Sequence, residues 1–114
     1  MFLRKYGAKS MNKKKYTLRY LPLFGKDLTE AVNYIAVTLQ DPITAERLVD
    51  EVEASIEKRL EMPKAFAPYP STKPRKYPYY RINVRNYAVF YVVIGNVMEV
   101  RRFLYSKRNI DELL

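Results

Sequence analysis

Apolar residues recur along this chain with two different periods. Tyr16, Leu18 and Tyr20 alternate with Thr17 and Arg19, the period of two that marks a short strand with one buried face. From Pro22 to Gln40 the spacing changes, and Leu28, Val32, Ile35, Ala36 and Leu39 fall three and four apart along one side of a helix. Asp41-Pro42 interrupts that run and starts another. An aspartate can accept hydrogen bonds from the open N–H groups of a helix start, and a proline at the first helical position loses no bond. The second stripe is Ala45, Leu48, Val49, Val52, Ile56 and Leu60, with Asp50, Glu51, Glu53 and Glu57 largely on other faces. The two runs predict a helical hairpin with arms of about 18 residues, long enough to cover one side of a small sheet.

Residues 63–78 hold five prolines and no periodicity, which predicts a surface connection, with a polyproline ligand segment as the alternative. Three strand-like runs follow, Tyr80 to Arg85, Ala88 to Ile94 and Val97 to Phe103, separated by Asn86-Tyr87 and by the hairpin signal Gly95-Asn96. The middle run is apolar in both alternating sets, Val89/Tyr91/Val93 and Ala88/Phe90/Val92/Ile94, as suits a strand covered on both sides. The outer runs are one-sided. Tyr80, Ile82 and Val84 are expected toward the helices, with Arg81, Asn83 and Arg85 facing away. Met98, Val100 and Leu104 are expected to oppose Glu99, Arg101, Phe103 and Tyr105. The predicted class is α+β in the order β-α-α-β-β-β, a helical hairpin packed on a small antiparallel sheet. Its open face would present Arg81, Arg85, Arg101 and Tyr105 together.

At 114 residues the chain has room for one domain with one core. We read residues 1–15 as a flexible basic leader, with Met11 as an alternative start, and residues 16–114 as the domain. The net charge of +9 is unevenly spread. Residues 1–20 carry seven cations and no anion, residues 21–62 four cations and nine anions, and residues 63–114 ten cations and three anions. Such asymmetry attracts phosphates or acidic peptides to one part of the surface. Cysteine and histidine are both absent, which removes disulfides, thiolate chemistry and the usual transition-metal ligands. Acid–base chemistry would fall to Tyr, Lys, Arg, Asp or Glu, and no metal or small-molecule cofactor is expected. No apolar run is long enough for a membrane span, and we expect a cytoplasmic protein with no membrane partner.

Taken together, DLTEAVNYIAVTLQDPITAERLVDEVEASIEKRLEMP, YRINVRNYAVFYVV and MEVRRFLYSKRN resemble the RelE/ParE superfamily of bacterial type II toxins. The resemblance spans residues 16–109. It is carried by Asp27-Leu28, Tyr34-Ile35-Ala36, Asp41-Pro42 with Ala45, the Pro63 exit, Tyr87 with Phe90-Tyr91, and Arg102-Phe103-Leu104-Tyr105 with Arg108. It implies a growth-inhibiting toxin neutralised by a cognate acidic antitoxin.

That superfamily implies two alternative activities. One branch cleaves messenger RNA at the ribosome and the other poisons DNA gyrase without being a nuclease. For cleavage, Tyr105 would act with Arg81, Arg85 and Arg108, the guanidinium groups favouring phenolate and binding phosphate. For target or RNA binding the expected residues are Arg81, Arg85, Arg101, Arg102, Lys107 and Arg108. Asn83 and Ala88 stand where the nuclease branch has basic groups, and the two long helices are similar to the gyrase-poisoning branch, which is therefore favoured. Arg102 is alternatively a structural residue paired with Glu53 or Glu57. A non-toxic nucleic-acid-binding module is the remaining reading.

Overall fold

The computed structural model of the protein describes residues 15–114, so the expected leader lies outside the described residues except for Lys15. Strand β1 (Thr17–Tyr20) runs into helix α1 (Pro22–Asn33), which continues as a single π turn (Tyr34–Thr38). Helix α2 (Pro42–Leu60) follows, then β2 (Tyr80–Val84), β3 (Tyr87–Ile94), β4 (Val97–Tyr105) and a one-turn α3 (Ile110–Leu113). The predicted order holds, with α3 added.

Sheet order is β1-β4-β3-β2. Strands β2, β3 and β4 form the expected antiparallel meander, but β1 lies parallel to β4, with Thr17 opposite Val97 and Tyr20 opposite Val100. The sheet is therefore mixed, not wholly antiparallel. Alternation along β1 fixes which face is buried, whereas strand direction depends on how the helices return the chain. Strands β1 and β2 form the two edges of the sheet.

Asp41 caps α2 as its side chain allows. One carboxylate oxygen accepts the Thr44 amide at 3.1 Å and the other accepts the Thr44 hydroxyl at 2.6 Å. These bonds hold the Asp41 carboxyl below its ordinary pKa. Leu48, Val52, Ile56 and Leu60 are buried against the sheet, and from α1 so are Phe24, Leu28 and Ala31, with Ile35 of the π turn. Leu39 departs from the expected stripe and is 55% exposed. Its amide bonds to the Tyr34 carbonyl five residues back at 3.0 Å, so the extra residue of the π turn rotates it off the buried face. Gln40 then reverses the chain at φ +54°.

The second face of the sheet is not the open surface expected. Ala88, Phe90, Val92 and Leu104 are fully buried there beneath Tyr69 and Tyr77 of the proline-rich segment and Tyr79 just after it, with Ile110, Leu113 and Leu114 from beyond β4. Leaving Phe90, Val92 and Leu104 in water would forfeit about 1.5–3 kcal/mol each, which is the physical reason this face is roofed. The segment is fastened at its start by buried Tyr91, whose hydroxyl donates to the Pro63 carbonyl at 2.7 Å and accepts from Arg59 at 2.9 Å. Closer to the sheet, the Tyr69 amide donates to the Tyr79 carbonyl at 2.7 Å.

A bulge in β4 corrects one further expectation. Phe90 pairs with Arg102 and Tyr91 with Val100, leaving Arg101 as an extra residue. Beyond it the alternation changes phase. Phe103 enters the helix-side core and Leu104 the opposite layer, the reverse of the regular strand predicted. Among the described residues no helix is long and apolar enough to cross a membrane.

Candidate functional site

The arginines expected to share one open face go to different places. Arg85 occupies the β2–β3 turn, which is Arg85-Asn86 and not Asn86-Tyr87, at φ +54°. From there it reaches the helical layer and forms two hydrogen bonds to the Glu51 carboxylate at 2.8 and 2.6 Å. This contact lowers the Glu51 pKa and raises that of Arg85. Arg81 and Arg101 do lie on the second face, but among its aromatic rings. The Arg81 guanidinium is 5.6 Å from the Phe90 ring and bonds the Asn83 side chain at 2.7 Å. Arg101 bonds Glu99 at 2.7 Å, and Arg19 from β1 meets the same carboxylate at 2.6 Å.

Arg102 pairs with Asp27, not with Glu53 or Glu57. Two bonds of 2.7 and 3.1 Å join them, and the Phe103 amide donates to the same carboxylate at 3.0 Å. The reason lies in strand length: β1 covers β4 only as far as Val100, so the β4 edge beyond it needs an acceptor, and Asp27 on α1 supplies one. Lys107 and Arg108 are exposed on the turn after β4. Arg85, Arg101 and Arg102 thus each meet a carboxylate, and the single convergent cationic face expected from the strands is replaced by separate ion pairs.

The hairpin tip and the ends of β3 and β4 do converge, on a cleft of about 720 Å³. Tyr34, Tyr87 and Tyr105 supply its aromatic wall, Ile35 its apolar floor, and the exposed Leu39 and Arg85 its rim. Tyr87 stacks on Phe103 with ring centres 4.9 Å apart and meets Tyr105 edge-on at 5.8 Å. Burial, then the neighbouring Tyr34 and Tyr105, push the Tyr87 phenol above its ordinary pKa. The Tyr34 and Tyr105 side chains stay in reach of a partner, at 52% and 39% exposure, and Val37 and Ile43 extend the apolar surface beside them.

Among the expected residues, only Tyr105 and Arg85 come together here. Sequence reasoning missed Leu39, Val37 and Ile43 as exposed surface, because the three-and-four spacing placed Leu39 in the core and nothing in it foretold a π turn. Tyr34 stands just outside the apolar stripe, and that offset was its available signal. Chemically, the cleft offers phenols, apolar contact and an ion pair at its rim. Among the described residues no cluster of acidic side chains could hold a metal ion. Large exposed aromatic and aliphatic side chains around a concave centre are what protein–protein binding uses.

Comparison with known proteins agrees with this architecture. A family model described as the ParE toxin of the type II toxin–antitoxin system, parDE, matches residues 18–110. Among solved structures, the chain is similar to one titled "Chromosomal ParDE TA system from P. aeruginosa", with a TM-score of 0.68 and 16% sequence identity. The similarity covers 82% of this chain and 98% of that one, and at such identity it speaks to the fold. No curated protein matches the sequence.

Proposed function

Because this chain belongs to the ParE toxin family of type II toxin–antitoxin systems, we propose that it arrests growth by binding DNA gyrase through the tyrosine-lined cleft at its hairpin tip. In this reading a cognate antitoxin of acidic character silences it. One observation supports binding over RNA cleavage. Arg85, the cation that shares the cleft with Tyr105, is engaged by Glu51 through two hydrogen bonds. Stabilising a phosphorane would need that guanidinium turned to the substrate. The exposed apolar rim of Val37, Leu39 and Ile43 supports a protein target in the same way.

The test is induction of the chain in a host without antitoxin, with gyrase-dependent DNA breaks and mapped messenger RNA ends followed together. DNA breaks with intact messenger RNA are expected. Codon-linked messenger RNA cuts that vanish in Tyr105→Phe would overturn the proposal.

A further inference from the structure

A second cleft, on the opposite side of the sheet from the helices, carries chemistry that toxin action does not use. It has a volume of about 300 Å³ and lies where the proline-rich segment meets β4. Its lining is Pro74, Arg75, Lys76, Tyr77, Tyr79 and Arg101, three cations and no carboxylate. We propose that this cleft is a phosphate-binding site, Arg75 and Arg101 supplying planar donors and Lys76 a mobile ammonium at the mouth.

Two guanidinium groups are preset for the task. Arg75 and Arg101 sit 4.9 and 5.7 Å from the centre of the same Tyr79 ring, so one aromatic side chain orients both. Arg75 is anchored further by the Ser71 hydroxyl at 3.3 Å and a main-chain oxygen of Leu114 at 3.1 Å. These contacts occupy Nε and Nη1. Its Nη2 is shielded from solvent and has no hydrogen-bond partner among the described residues, which costs free energy in any protein until an acceptor arrives. Arg101 gives Nε to Glu99 and directs Nη1 toward the Tyr79 hydroxyl at 3.5 Å. Because Glu99 also meets Arg19, one carboxylate faces two guanidinium groups, and the cluster keeps a positive excess. Lys76 is exposed, its ammonium 5.6 Å from the Tyr77 ring. Cations from a loop and a strand around one small polar cleft suit a tetrahedral oxyanion, which accepts bonds from several directions, better than a planar carboxylate.

The phosphate has two sources, a free phosphate or nucleotide and the backbone of a nucleic acid, and one set of measurements separates them. Backbone and arginine Nε resonances of the full chain are followed by NMR during titration with inorganic phosphate, and in a parallel arm with a short DNA duplex. Saturable shifts confined to residues 74–79 and Arg101 are expected, weakened by about fivefold or more in Lys76→Gln and lost in Arg75→Gln. Lys76→Gln alters an exposed side chain, so its spectrum away from the cleft reports that the fold is kept. Binding of phosphate without duplex assigns a small-molecule source. Duplex binding whose salt dependence falls by about one ion in Lys76→Gln assigns a backbone source. Shifts that chloride reproduces at equal ionic strength, or that both variants leave unchanged, overturn the site. That failure would leave the gyrase reading standing, since the two clefts share no residue.

Discussion

Asp27 on α1 and Arg102 on β4, 75 residues apart, meet through two hydrogen bonds of 2.7 and 3.1 Å while Asp27 also takes the Phe103 amide. One carboxylate thereby closes the part of the β4 edge that β1 does not reach, and fixes helix to strand.

Asp27→Ala is expected to lower stability by about 3 kcal/mol, because it leaves Arg102 largely buried without its counter-charge and the Phe103 amide without an acceptor. Thermal denaturation followed by circular dichroism should show Tm falling by more than about 10 °C for a domain of this size. Asp27→Asn keeps an acceptor for the amide and should lose less. Equal losses in the two variants would mean that only the charge matters.

Deleting Arg101 removes the bulge residue and should cost little more than Arg101→Ala. With Arg101 gone, Val100 still faces Tyr91 and Arg102 still faces Phe90, so regular alternation keeps Phe103 in the helix-side core and Leu104 in the opposite layer. Arg101→Ala keeps the register and forfeits a partly exposed ion pair, a cost of about 1 kcal/mol or less. Soluble expression and amide dispersion in NMR spectra compare the two. An insoluble or poorly dispersed deletion variant would show that the bulge itself, and not only the pairing on either side of it, is needed to seat β4.

Glu99 makes stability depend on acid in a stated direction. Burial alone would raise its pKa, but the bonds from Arg101 and Arg19 prevail and hold it below the ordinary glutamate value. A carboxyl with a depressed folded pKa contributes stability that is complete above its unfolded value, near 4.5, and is lost as pH falls through the folded one. Urea unfolding across pH should show Glu99→Gln less stable than the parent by a constant margin above about pH 5. Below that the two curves should converge. A margin that widens in acid would contradict the assignment.

Leu39→Asp and Val37→Asp probe the proposed target surface without touching the core. Both side chains are more than half exposed, so stability should change by less than about 0.5 kcal/mol. Gyrase affinity should fall about tenfold or more, since an apolar contact at an interface becomes a buried charge. Tyr105→Phe should keep growth arrest. Pull-down with purified gyrase and colony counts after induction read both effects.

Much of the architecture was legible from spacing alone. Asp41-Pro42 predicts the start of α2 because capping is a local reaction between neighbours, and the doubly apolar β3 announces cover on both faces. The covering material was harder to see. Tyr69, Tyr77 and Tyr79 lie in a stretch with no period, so their packing is decided by the apolar second face of β3 and not by their own pattern. The arginines misled for a related reason. Alternation states which way a side chain leaves a strand, but Glu51 and Asp27 come from other parts of the chain, and pairing across 34 and 75 residues leaves no local trace. The π turn and the bulge each insert one residue into a regular count, and each shifts the residues that matter most for the site.

The seating of β1 alongside β4 has a bearing on how the protein is made. Its first strand leaves the ribosome long before the one that must receive it, and α1 waits for that same late strand to bury Phe24. Until then the nascent polypeptide carries unsheltered helices and no complete sheet, so productive shape waits for β4 to be made. A toxin assembled on that schedule gains its working shape only once the receiving strand exists, and a binder already present in the cell can meet it from that moment.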